Sequence, residues 1–512
     1  MEIKNRLVAV LEIGSTGIRL LAAEILENGR WREVDRAGKP VALGRDVFTT
    51  RRVSRNSFLE CLTVLHGFKE LLAGWGIADK DVHVIATSAL RVADNRDIFV
   101  DRVRLETQFR ITLVDGIEEN RLMYLAVRFA LNQDLPQFWK ANTMIIDIGG
   151  GSTEIMLLRD GKMVAAHSIN LGTILIERQS HRSLGSAHYQ ERYLKEIIRN
   201  TAGRLRSDMD ISAVNTFIMA GSDIRLAAAI IGAPMNEHCR IISRKRLFDF
   251  VQEIQHYSME TCVQRLGLSF FDAEGFVPGI LVYKQFLEQT DTKEVVVPDV
   301  SIREGLLIDL AFGVDSALQE EFFSQIIASA ANLGRKYHFD EEHNRLVADL
   351  CLEIFDALTH EHGMNRRERM LLEVAAFLHD IGMFIGGANH QQHGRYIVAN
   401  SEIFGLHRDE LDIISSVIGY HRGKPPSPGD INYLSLQRED RILVLKMASI
   451  LRVADALDRG HSQQITHITV ERKNETVVLH TKGSWDISLE LIGLEEKADL
   501  FQWVYGYKIL LT

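Results

Sequence analysis

The chain has 512 residues, 46% of them hydrophobic and 25% charged, with a formal net charge of −10. At about 150 residues per domain this is an ordinary globular composition for three or four domains, which excludes global disorder, collagen-like repeats and low-complexity scaffolds. The acidic balance excludes a globally basic nucleic-acid coat, although a local basic pocket can still take a polyanion.

The first apolar run, Arg6–Ile13, reads as a buried strand ending in the turn Gly14-Ser15-Thr16-Gly17, and Ile18–Glu24 as a second strand. Glu12 interrupts that run, and no apolar stretch approaches roughly 18 residues. Neither a signal peptide nor a transmembrane helix is therefore expected, and the expected location is the cytoplasm. Phe58, Leu62, Leu65, Phe68 and Leu72 share one helical face. Val82–Ala86 and Thr143–Ile148 read as further strands, and the whole to about residue 310 as α/β. Residues 8–25 and 144–161 repeat one plan of strand, acidic residue, Gly/Ser/Thr turn and strand. Two such halves facing each other would enclose a ligand cleft.

From about 315 to 460 the pattern becomes helical, as in Leu346, Val347, Leu350, Ile354 and Leu358 or Leu371, Val374, Ala375 and Leu378. Lys424–Gly429 holds three of the eight prolines and must be a loop. The tail from about 464 alternates apolar and polar residues and suggests a small β-rich module. Cys61, Cys239, Cys262 and Cys351 form no CxxC pair and read as buried apolar residues of a reducing compartment.

Gly149-Gly150-Gly151-Ser152-Thr153, flanked by Asp147 and Glu154, is the strongest local signal of the first half. Glycines let successive backbone N–H groups point inward as a phosphate nest, and Ser152 and Thr153 add hydroxyls. Asp147 and Glu154 could hold a divalent cation bridging the phosphates. Gly14, Ser15 and Thr16 form the equivalent turn of the first half. Glu119, in Gly116–Arg121, lies between the halves where a base for water would sit. The turn Ala220-Gly221-Ser222-Asp223 opens a helix and is a further anion site, although the Asp223 carboxylate would repel phosphate. Gly29–Arg55 carries eight Lys/Arg against three acidic residues and could guide a polyanion.

These segments resemble the exopolyphosphatase / guanosine pentaphosphate phosphatase family of the actin–Hsp70–sugar kinase superfamily. The resemblance rests on EIGSTGIRLL (12–21), ATSALRVADN (86–95), GIEENRLMYLAV (116–127), IDIGGGSTEI (146–155), INLGT (169–173) and SIREGLLIDL (301–310). It implies two ribonuclease-H-like (actin-like) lobes, with Glu119 as catalytic base. Glu12, Asp147 and Glu154 would be Mg²⁺-associated carboxylates, and Arg91 a phosphate contact. The implied substrates are inorganic polyphosphate or guanosine pentaphosphate, and the implied assembly is a homodimer. No nucleic-acid or membrane partner is expected. The first turn departs from the family's usual Asp-x-Gly-Ser-Asn-Ser, with Glu12, Thr16 and Gly17 in its place.

In the helical half, His343 is expected before one helix, His379-Asp380 within a second, apolar helix and Asp455 within a third. A buried ionised Asp needs a partner or a metal, and four N/O ligands suit a transition metal or magnesium. The set resembles the HD-domain metal-dependent phosphohydrolases. By that resemblance His343, His379, Asp380 and Asp455 would bind Mg²⁺, Mn²⁺ or Fe²⁺, and His393 and His421 would hold a second ion. The expected layout is lobe I at 1–128, lobe II at 129–312, an all-α HD-like domain at 313–462 and a small β-rich C-terminal module at 463–512. The main expectation is a phosphohydrolase acting through Glu119. Alternatives are an HD-driven nucleotide phosphohydrolase with the front lobes as sensor, a non-enzymatic regulator binding a phosphorylated nucleotide, and, more remotely, a kinase.

Overall fold

The computed structural model describes residues 5–26, 30–132, 140–183, 187–312, 317–427, 429–482 and 486–512. Gly29, Pro428 and the segment 313–316 at the expected lobe II boundary lie outside the described residues. The chain divides into two compact units, Met1–Glu321 and Phe322–Thr512.

The first unit holds two sheets. One runs β3-β2-β1-β4-β5, from β1 (Arg6–Ile13), β2 (Gly17–Ile25), β3 (Trp31–Pro40), β4 (Val82–Ala86) and β5 (Ile111–Leu113). The other is built from β6 (Thr143–Ile148), β7 (Thr153–Arg159), β8 (Lys162–Ile169), β9 (Thr216–Ala220), β10 (Ala233–Pro234), β11 (Cys239–Ser243) and β12 (Glu294–Pro298), in the order β8-β7-β6-β9-β12-β11-β10. Each sheet starts with an antiparallel three-strand meander whose first strand pairs in parallel with the strand after a crossover, β4 or β9. The internal repeat thus extends from the two turns to the whole sheet topology. Val8–Leu11 and Met144–Ile146 are fully buried because both faces of these central strands are covered. The edge strand β3 is charged and largely exposed, as an unpaired edge should be. Phe58, Leu62, Leu65, Phe68 and Leu72 pack into the first core from the helix Arg55–Gly74, as their spacing required.

Two helices exchange between the sheets. Gly116–Asn132 follows β5 but packs on β7 and β8, whereas Ile302–Phe312 follows β12 but packs on β1 and β2. The expected division after residue 128 falls inside the first of these helices. The two cross at Gly305, where a Cβ would lie 2.0 Å from the Leu122 carbonyl oxygen. Only glycine permits this approach.

The second unit packs the helices Glu341–Ala357, Arg366–Leu378, His390–Ala399, Arg408–Tyr420 and Arg438–Ala456 around one another. Its tail forms a three-stranded sheet, β13 (Ile468–Lys473), β14 (Thr476–Thr481) and β15 (Lys508–Leu511). Between β14 and β15 lie two helices, Ser488–Lys497 and Asp499–Tyr505, which pack on Arg438–Ala456, so the tail is mixed rather than simply β-rich. In the first of these helices Leu489 and Leu491 are exposed and Glu490 is buried. Two local expectations shift slightly. His343 lies within the first turn of its helix, and His379-Asp380 follow the end of Arg366–Leu378 instead of lying inside it. All four cysteines are buried, and none is in a disulfide. Among the described residues no helix is long and apolar enough to cross a membrane.

Candidate functional site

The two glycine turns close in the same way. Gly14 N–H donates to the Gly17 carbonyl at 2.9 Å, and Gly149 N–H donates to the Ser152 carbonyl at 2.9 Å. Each turn is then held from outside by the start of a following helix. Gly44 N–H bonds the Ser15 carbonyl (2.7 Å), while Thr173 and Ile174 N–H bond the Gly149 and Gly150 carbonyls (3.0 and 3.1 Å). A Cβ on Gly150 would lie 2.9 Å from Ser15 Cβ, so the turns meet face to face. Strand register places Glu12 opposite Arg19 in the first hairpin and Asp147 opposite Glu154 in the second. Arg19 is therefore the first-half counterpart of Glu154.

Glu12, Gly14, Ser15, Thr16, Glu119, Asp147, Gly149, Gly150, Ser152 and Glu154 line one cavity of about 100 Å³. Three expected phosphate contacts fall elsewhere. Gly151 faces Phe48, whose ring would be 2.2 Å from an added Cβ. Thr153 is buried and donates to the Leu171 carbonyl. Arg91 donates to the Val114 carbonyl at 2.9 Å and to the Glu119 carboxylate, so it fixes the acid instead of lining the cavity. Of the two adjacent acids, Glu118 pairs with Arg121, whereas Glu119 turns toward the cleft. The cavity also takes Arg19, Arg225 and Arg303, which sequence reading missed as cleft residues. Arg303 Nε lies 3.2 Å from Glu12 Oε2. Arg19, Ser222, Arg225 and Arg303 are shared with a neighbouring cavity of about 600 Å³ that adds Arg36 and Arg240.

Three carboxylates of the cleft, Glu119, Asp147 and Glu154, hold protons unusually tightly. Burial, with the charges of Asp147 and Glu12, pushes Glu119 up to about 7 against the opposing pull of Arg91. Burial and the Glu12 charge raise Asp147 to about 6. Burial, Glu119 and Asp147 hold Glu154 well above the usual carboxylate range. Glu154 accepts from Ser168 Oγ at 3.0 Å. Hard oxygen donors with this surplus of negative charge suit Mg²⁺, which takes one or two carboxylates plus substrate oxygens. Asp223 behaves otherwise. It is buried against Gly279, and burial pushes it up to about 8, which reduces the charge it presents at neutral pH. The repulsion expected at the third turn is thereby weakened. Gly221 and Ser222 line the cavity, and Gly221 (φ 114°) lies so close to the Tyr283 hydroxyl that a Cβ would be 2.7 Å from it.

In the second unit, His343, His379, Asp380, His421 and Asp455 come together, but His393 does not join them. His390 takes its place, with Nε2 3.1 Å from Asp380 Oδ1 and 3.2 Å from His421 Nε2. The four imidazoles share one arrangement. Nδ1 of His379, His390 and His421 faces the carbonyls of Ala376, Gly387 and Ile418 at 2.8, 3.0 and 2.7 Å. Nδ1 of His343 faces Asp458 Oδ2 at 2.7 Å. Each Nδ1 meets an oxygen that only accepts, so each Nδ1 carries a proton and each Nε2 is turned toward the cluster. Nε2 of His343 and of His379 is buried without a hydrogen-bond partner. Asp455 is paired by Lys497, while the two arginines that could have neutralised these acids pair elsewhere, Arg345 with Glu341 and Arg452 with Asp499. Burial pushes His421 down to about 3, whereas Asp380 and Asp455 outweigh burial at His379 and hold it up to about 9. Among the described residues, every group of three ligand atoms within 4.8 Å lies in this cluster.

Comparison with known proteins covers both halves of the chain. A Guanosine-5'-triphosphate,3'-diphosphate pyrophosphatase of Aliivibrio fischeri (strain MJ11) is 22% identical over 485 residues, covering 93% of this chain and 92% of its own. An exopolyphosphatase structure from Cytophaga hutchinsonii ATCC 33406 superposes with a TM-score of 0.54 at 19% identity, over 60% of this chain and 99% of that one. The Ppx/GppA family member from Aquifex aeolicus superposes with a TM-score of 0.50 at 23% identity, over 62% of this chain and 99% of that one. The Ppx/GppA phosphatase family model matches residues 26–312 and the Ppx/GppA phosphatase domain III model matches 327–502, and the chain belongs to the Ppx/GppA phosphatase family.

Proposed function

We propose that this chain is a phosphohydrolase that releases terminal orthophosphate from guanosine pentaphosphate or inorganic polyphosphate, with water activated by Glu119. The observation that carries this reading is the convergence of both glycine turns and Glu119 on one cavity. Backbone N–H groups of the turns, with Ser15 and Ser152, bind the terminal phosphoryl oxygens. Glu119, near 7 and fixed by Arg91, takes a proton from the attacking water at neutral pH. Arg19, Arg225 and Arg303 line both cavities, and the remaining phosphates extend past them toward Arg36 and Arg240. Asp147, Glu154 and Glu12 would hold Mg²⁺, which when bound supplies charge neutralisation at bridging and terminal oxygens. By likeness to long family members the protein acts as a homodimer in the cytoplasm. Orthophosphate release from purified full-length protein, with and without Mg²⁺ and in Glu119→Gln, tests the hydrolytic reading.

A second reading concerns the helical unit alone. Its histidine–aspartate cluster, His343, His379, Asp380 and Asp455 with His390 and His421, holds a divalent metal ion in an HD-like arrangement. Two buried Nε2 atoms without a hydrogen-bond partner, set beside two carboxylates, support it. Metal analysis of the full chain, with His379→Ala as control, tests it.

A further inference from the structure

The six ligand side chains of the helical unit are not equivalent, and the difference lies in one lysine. At one end, Asp380 Oδ1 meets His390 Nε2 at 3.1 Å and His421 Nε2 at 3.6 Å, and the two nitrogens are 3.2 Å apart. With both Nδ1 atoms facing carbonyls, this end turns two Nε2 atoms and a carboxylate oxygen toward one another at the spacing of metal ligands. Three such atoms this close need a proton or a metal cation among them. At the other end, Asp455 Oδ1 faces His379 Nε2 at 3.7 Å and His343 Nε2 at 3.9 Å, but its second oxygen is paired with the Lys497 ammonium. Lys497 is held in position. Buried Arg452 donates to the Lys497 carbonyl at 3.0 Å and to Asp499 Oδ1 at 2.9 Å, and it also bonds the Tyr420 and Gly423 carbonyls beside His421. One end is thus made of two imidazoles and a carboxylate, and the other already has an ammonium built into the chain.

We infer that the first divalent transition-metal ion binds at Asp380, His390 and His421, and that Lys497 keeps the Asp455 end from taking a second ion. The inference rests on the metal reading of the helical unit. Imidazole-rich donors select a transition metal over Mg²⁺. The Lys497 ammonium neutralises half the carboxylate charge shared between the two ends and repels an incoming ion beside Asp455. Replacing that ammonium by an uncharged chain of similar length removes the repulsion and leaves Asp455 free to ligate.

The test is titration of metal-stripped full-length protein with Co²⁺, followed by the visible absorption of the bound ion and by calorimetry. Wild type should take one equivalent. His390→Ala or His421→Ala should weaken that ion at least tenfold, Asp455→Asn should retain it, and Lys497→Met should bind two. Lys497→Arg, which keeps the charge, should stay at one. Should Lys497→Met fail to fold, amine-labelling of wild-type Lys497 provides the second measurement, with reactivity rising only at Co²⁺ beyond one equivalent. Loss of the ion in Asp455→Asn with His390→Ala intact would overturn the assignment while leaving the metal reading standing. A Lys497→Met protein that stays at one equivalent would remove the role of the lysine. Wild type that binds no Co²⁺ would overturn the metal reading itself.

Discussion

The Arg91 guanidinium lies against the Glu119 carboxylate and also holds the Val114 carbonyl at 2.9 Å, so one side chain both orients the base and opposes its protonation. Burial and the charges of Asp147 and Glu12 work the other way and win, at about 7. The kcat/KM profile should therefore rise through about pH 7 as Glu119 loses its proton. Arg91→Met removes the opposing charge and should move that rise to higher pH. A pH–rate series on the two proteins checks it, and an unmoved or lowered midpoint counts against Glu119 as the titrating group.

The glycine turns make a spatial prediction. Gly150 does not adopt a positive φ, so its requirement is room, not backbone freedom. A Cβ there would lie 2.9 Å from Ser15 Cβ and 3.0 Å from Ile174 Cδ1. Gly150→Val should force the two turns apart and weaken phosphate-analogue binding at least tenfold, with the second unit still folded. Calorimetry with a phosphate analogue decides, and unchanged affinity would place the phosphoryl site elsewhere.

Crossing of the two exchanged helices should matter for stability as well as for the base. Gly305→Ala places a methyl 2.0 Å from the Leu122 carbonyl oxygen, on the helix that carries Glu119. Overpacking of this kind costs about 1–3 kcal/mol. A lowered denaturation midpoint for the first unit, accompanied by reduced kcat, is the expected result. Wild-type stability in this variant would show that the helices separate without cost.

Asp223 predicts a pH dependence of opposite sense to most carboxylates. Its folded value, about 8, lies above the roughly 3.9 of an unfolded chain. Stability associated with the protonated form is complete below about pH 4 and is lost as pH rises toward about 8. Asp223→Asn cannot ionise, so its stability advantage over wild type should grow across that window. Urea midpoints measured from pH 5 to 8 read this directly, and a constant difference contradicts it.

Much of the cleft was legible because its residues are local. Glu12 with Gly14–Thr16, and Asp147 with Gly149, Gly150, Ser152 and Glu154, are each contained in one hairpin, and a hairpin's turn chemistry shows in the sequence. Arg19 sits seven residues after Glu12, as Glu154 does after Asp147, so the repeat itself held that signal. Arg225 and Arg303 reach the cavity only through sheet order and helix exchange, which no local pattern encodes. In the helical unit the choice between His390 and His393 turned on where a helix begins. His390 is its first residue, and its ring is fixed by the Gly387 carbonyl just upstream. Lys497 was invisible for another reason, since it closes a helix in a tail whose pattern reads as β-rich.

Orthophosphate release by the full-length protein and its Glu119→Gln variant is the most direct test of the account. It should be followed with Mg²⁺ on guanosine pentaphosphate and on polyphosphate of several lengths. Wild type should release terminal phosphate from at least one of these, and Glu119→Gln should be slower by about 10² or more with its fold intact. Equal turnover by the two proteins, or phosphate release that survives Glu119→Gln but is lost in His379→Ala, would move the chemistry out of the cleft.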